Sequence, residues 1–94
     1  MFPVTVMTLA EHGYQHFQGQ SQDLSEAGIG ILVAAELSPA EVVTLSFTLS
    51  SLLFEARAVM RFRRVCRYGF EFLGLSPEQK ALLAEHLQGL ALAD

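Results

Sequence analysis

The chain has 94 residues, 51% of them hydrophobic and 17% charged, with a formal net charge of -4. That length suits one domain with a workable core, and so much apolar residue excludes a disordered segment. The acidic total argues against non-specific nucleic-acid binding, which needs a broad basic surface.

Near the start, Val4, Val6 and Thr8 alternate with Thr5, Met7 and Leu9, the period of a half-buried strand. Glu11 to Gly13 reads as a turn. The next strand, YQHFQGQSQ, carries Tyr14, His16, Gln18, Gln20 and Gln22 on one side and Phe17 on the other, and is expected at an edge or half exposed. Asp23-Leu24-Ser25-Glu26-Ala27-Gly28 forms a corner, and IGILVAA then reads as a buried strand. Leu37 to Ala40 is a connection, because Pro39 has no N–H to give to a ladder.

Val43, Leu45, Phe47 and Leu49 alternate with Thr44, Ser46, Thr48 and Ser50, and Ser50-Ser51 suggests a turn. The long stretch LLFEARAVMRFRRV puts Phe54, Ala56, Ala58, Met60 and Phe62 on one face, with Glu55, Arg57, Val59, Arg61 and Arg63 on the other. The chain reverses near Cys66 and returns as RYGFEFLGL, Phe70 and Phe72 inward and Glu71 outward toward the arginine row. SPEQ then opens a helix, with Ser76 as N-cap, Pro77 in the first turn and Gln79 closing a capping box. Leu82, Leu83, His86, Leu87 and Leu90 form its apolar stripe. The expected fold is all-β, a small antiparallel barrel closed by one C-terminal helix. It is a single domain over 1–94, with strands within about 3–75 and the helix at about 77–90.

Cys66 is the sole cysteine, which excludes an internal disulfide and favours a reducing compartment. The opening MFPVTVMTLA lacks the basic start of a signal peptide, and the longest apolar run is too short to span a bilayer. A cytoplasmic domain is expected.

The DLSEAG corner has two readings. Asp and Ser side chains stabilise turns through nearby backbone groups, and Gly28 would supply a positive φ. The same atoms suit a ligand. Asp23 only accepts hydrogen bonds, Ser25 donates and accepts, and a guanine offers an N–H and an amino group along one edge. Gly28 and Gly30 would let a flat base or a phosphate approach the backbone. A carboxylate repels phosphate, so a nucleotide also demands arginines.

Asp23-Leu24-Ser25-Glu26-Ala27-Gly28 resembles the D/N-x-S-x-x-G motif of PilZ domains. The flanks are similar too: apolar Ile29 to Val33, the FEARAVMRF strand, Tyr68-Gly69-Phe70-Glu71-Phe72 and a terminal helix. The resemblance implies a six-stranded barrel that receives the bacterial second messenger cyclic di-GMP. It carries over Asp23, Ser25 and Gly28 as the guanine-contacting turn. The family's second element, an N-terminal R-x-x-x-R segment, has no counterpart here, since no Lys or Arg precedes Arg57. Losing two such arginines, at ~1–3 kcal/mol each, predicts weak or absent binding by the chain as given. The alternative is a nucleotide-independent interaction module of pilus, motility or related signalling machinery, working through a protein partner.

Arg57, Arg61 and Arg63 read either as a solvated face paired with Glu55 and Glu71 or as a docking patch for an acidic partner. His12, His16 and His86 fit ordinary histidines better than a metal site, and no metal or other cofactor is expected. Ser25, His16 and Asp23 lack the setting of a nucleophile elbow, so no enzyme activity is expected. Cys66 lies near Arg64 and Arg67 and reads as a bystander thiol.

Overall fold

The computed structural model describes residues 1–10, 13–37 and 42–92. Its elements are β1 (Pro3–Ala10), β2 (Gly13–Leu24), β3 (Gly28–Val33), β4 (Val42–Leu49), β5 (Leu52–Arg64), β6 (Arg67–Leu73) and α1 (Pro77–Leu92). All pairings are antiparallel, and the sheet closes on itself in the order β1-β2-β3-β6-β5-β4. This is the barrel with a C-terminal helix that the alternation predicts. The turn at Glu11 and His12 and the Pro39 connection lie outside the described residues.

Period-two alternation builds the interior. Val4, Val6, Ile29, Ile31, Val43, Leu45, Phe54, Ala58, Phe70 and Phe72 are all buried, while their sequence neighbours other than Gly30 and Gly69 are exposed or half-buried. Phe47 stacks on Phe54 at 4.9 Å between centroids, and Phe2 and Phe72 extend the aromatic cluster. Ser50 and Ser51 both take positive φ, 48° and 67°, as a two-residue hairpin turn matched to strand twist requires.

The helix starts as its sequence says. Gln79 N–H donates to Ser76 Oγ at 3.1 Å, and Ser76 N–H donates to Gln79 Oε1 at 3.0 Å. Leu83 is fully buried against the barrel, Leu82 packs beside it, and Gln79 Nε2 donates to the Glu55 carbonyl at 2.6 Å. His86 and Leu87 are half-buried, and the side chain of Leu90 falls outside those described.

Several expectations need correction. β2 is half exposed, as one of its two readings has it, but it is not an edge strand: residues 13–20 pair with β1 and residues 19–24 with β3. Its glutamine-rich face is the outer wall of a barrel, which has the same local pattern as an edge. In β5 the register shifts between Met60 and Phe62. The extra residue reverses the alternation, so Phe62 turns outward and is 52% exposed. For the same reason Arg57, Arg61 and Arg63 do not share a face. Arg57 and Arg61 stay outside, while Arg63 pairs with inward-facing Tyr68 and sets its guanidinium 5.3 Å from that ring.

Candidate functional site

A second bulge, in β2 between Ser21 and Asp23, sets the site. It leaves Ser21 buried and brings Asp23 opposite Gly30 on the outer face. Asp23 therefore belongs to the strand, and the corner proper is Ser25 to Ala27. There the Ala27 and Gly28 N–H groups donate to Ser25 Oγ, each at 3.2 Å, and Ser25 N–H donates to the Gly28 carbonyl at 2.9 Å. The hydroxyl closes the turn, as in the plainer of the two readings. Gly28 does not take a positive φ, contrary to expectation. A Cβ there would run into the Phe70 carbonyl oxygen, so the glycine serves the close approach of β3 and β6.

Asp23, Gly30, Gly69 and Phe62 are successive register partners across four strands. A Cβ on Gly30 would sit 2.6 Å from Asp23 Oδ1, and one on Gly69 would run into the Phe62 ring. The Asp23 carboxylate thus lies over Gly30 and the half-exposed Phe62 ring over Gly69, and both glycines are buried beneath them. Arg67 reaches over from β6, its Nη2 2.9 Å from Asp23 Oδ2. Arg61 forks onto Glu71, Nε to Oε1 at 3.0 Å and Nη2 to Oε2 at 3.3 Å. These groups, with Ser25 and Gly28, line a groove of about 430 Å³. It holds carboxylate acceptors, guanidinium donors and an exposed aromatic ring, a set suited to a planar anionic ligand.

The family described as "PilZ domain" matches residues 2–89. The chain belongs to the PilZ domain family. Its fold is similar to the crystal structure of the PilZ domain of CeSA from a cellulose-synthesizing bacterium. The TM-score is 0.71 at 22% identity, over 96% of this chain and 92% of that one. A search of curated proteins found no match. PilZ domains are bacterial signalling modules that bind rather than catalyse.

In this PilZ domain the residues fitting D/N-x-S-x-x-G all face the one groove. What the sequence does not show there is the place of Arg67 beside Asp23. The same holds for Gly69 and Phe62. The Tyr68-Gly69-Phe70 run was visible, but its place beside β3 depends on strand order. The remaining candidates stand elsewhere. His16 is exposed and opposite Met7, His86 is on α1, and His12 is outside the described residues. Ser25 Oγ bonds within its own turn. Cys66 is exposed in the β5–β6 turn. Of the two acids expected to pair with the arginine row, Glu71 does so and Glu55 makes none of the described ion pairs. Among the described residues no group of His, Cys, Asp and Glu is placed to hold a metal, and no helix is long and apolar enough to cross a membrane.

Proposed function

We propose that this PilZ domain is a cytoplasmic, non-enzymatic receptor module whose groove takes a guanine and the adjoining phosphate of cyclic di-GMP. The observation that carries this reading is Arg67 standing 2.9 Å from Asp23, across Gly30. Asp23 accepts from the guanine N–H edge, Ser25 holds the corner in shape, and Gly28 keeps it tight against β6. Arg67 supplies the positive charge that a phosphate requires.

The resident ion pair does not bar the ligand. Asp23 and Arg67 are 62% and 46% exposed, and such a pair is worth about 0–1 kcal/mol. A hydrogen bond to a charged group is worth about 1.5–3 kcal/mol, so the ligand phosphate can take Arg67 over. One such cation is too little for a dinucleotide, and the 94-residue chain is expected to bind weakly. Phe2 N–H donates to Ser21 Oγ at 2.9 Å, and Gln22 Nε2 donates to Met1 Sδ at 3.2 Å. Arginines joined ahead of Phe2 would emerge beside Gln22, the neighbour of Asp23.

A second reading is a nucleotide-independent interaction module of pilus, motility or related signalling machinery. One observation favours it: Asp23 and Ser25 already have partners within the domain. The arginine patch supports it poorly. Arg61 pairs with Glu71 at 3.0 Å and Arg63 with Glu36 at 3.6 Å, leaving Arg57 outside the described pairs.

Titration calorimetry of cyclic di-GMP separates the two. The 94-residue chain is compared with a version carrying R-x-x-x-R ahead of Phe2. Binding by the extended version that Asp23→Ala weakens supports the receptor. Absence of binding in both versions rejects it in favour of the interaction module.

A further inference from the structure

Away from that groove, the β4–β5 hairpin tip leaves apolar surface uncovered. Leu52 and Leu53 are 57% and 68% exposed directly after the Ser50-Ser51 turn. They face the flank of α1, where Ala81 and half-buried Leu82 continue the same apolar strip. Between hairpin and helix runs a groove of about 530 Å³ that shares no lining residue with the Asp23 site. Adjacent exposed leucines continuous with a half-buried one form a patch, unlike scattered single apolar residues, which need no explanation.

The rim of this groove has one sign. Glu78 and Glu85 line it and no Lys or Arg does. They stand seven positions apart with Leu82 between them, two helical turns or about 10.5 Å along one face. Lys80 is the only lysine or arginine of α1, and it lines a different recess with Glu26 and Ala27.

We propose that this groove docks a cationic amphipathic helix of another protein. Aliphatic side chains of the partner would cover Leu52, Leu53 and Leu82, and Lys or Arg residues two turns apart would meet Glu78 and Glu85. The carboxylate rim works against a membrane surface, whose anionic headgroups it repels. It also makes a second copy of this chain a poor fit. The chain's basic segment is Arg57 to Arg67, where Arg61, Arg63 and Arg67 are engaged with Glu71, Glu36 and Asp23.

The test uses two model peptides of about 18 residues, an amphipathic Leu/Lys helix and its Leu/Glu counterpart. Each is titrated into the isotope-labelled domain while amide resonances are followed. The Leu/Lys peptide is expected to shift amides of Leu52 to Phe54 and of the Glu78 to Glu85 turns, and the Leu/Glu peptide is not. Leu53→Asp, a change at an exposed position, should weaken the Leu/Lys complex at least about tenfold. The pair Glu78→Lys and Glu85→Lys should transfer preference to the Leu/Glu peptide. Shifts centred elsewhere, equal response to both peptides, or indifference to the charge reversal would overturn the proposal. So would self-association of the domain that Leu53→Asp abolishes, which would make a second copy the occupant.

Discussion

Arg67 closes on Asp23 with Nη2 2.9 Å from Oδ2, although 44 positions of sequence separate them and strand β3 runs between their own strands. The reach is open because Gly30, opposite Asp23, puts no side chain in the way. Replacing Arg67 by alanine should change stability by no more than about 1 kcal/mol, since the pair is half exposed. The same change should lower affinity for cyclic di-GMP about tenfold or more in whichever form of the domain binds, because it removes a charge-assisted donor and leaves a bare carboxylate facing phosphate. Denaturant titration and calorimetry on one variant measure both halves. Unchanged affinity would remove Arg67 from the site.

Gly28 and Gly30 lie two residues apart on one face, yet alanine should act differently at each. At Gly28 the new methyl meets the backbone carbonyl of Phe70, which cannot move without parting β3 from β6. A loss of about 1–3 kcal/mol is expected. At Gly30 it meets the tip of the Asp23 side chain, which can swing aside. Gly30→Ala should therefore keep most of the stability but break the ion pair with Arg67. Equal destabilisation by the two variants in urea would contradict this.

Tyr68 is fully buried, and its hydroxyl donates to the Ala35 carbonyl at 2.6 Å and accepts from Leu37 N–H at 3.2 Å. It thereby anchors the start of the link that leads from β3 to β4 on the opposite side of the barrel. Tyr68→Phe leaves both backbone groups without that partner and should cost about 1–3 kcal/mol. Faster hydrogen exchange at the Leu37 amide is the local sign to measure.

At the β4–β5 turn, Ser50 and Ser51 both hold φ in the left-handed region. Asn and Gly accept that backbone more readily. The double change Ser50→Asn and Ser51→Gly should raise stability by about 0.5–1 kcal/mol, or about 2–8 °C in melting temperature. A lower melting temperature would show that the serines contribute more than turn geometry.

The order of amino acids by itself determined the strands, the Ser50-Ser51 and Cys66 reversals and the Ser76–Gln79 helix start. Each of these depends on residues within a few positions of one another: alternation over two, capping over three, a turn over two. The same local logic marked Asp23, Ser25 and Gly28 as a corner with chemistry to offer. It failed where one inserted residue changed the outcome. The bulge after Met60 turned Phe62 outward and separated Arg63 from Arg57 and Arg61, and no residue type announces such an insertion. Only the tertiary structure decided what stands across from the corner. Closure of the sheet lays β6 along β3, and with it Gly69 beside Gly30 and Arg67 within reach of Asp23. That neighbour is chosen by the burial of a whole barrel interior, a sum over all six strands that no short stretch of sequence contains.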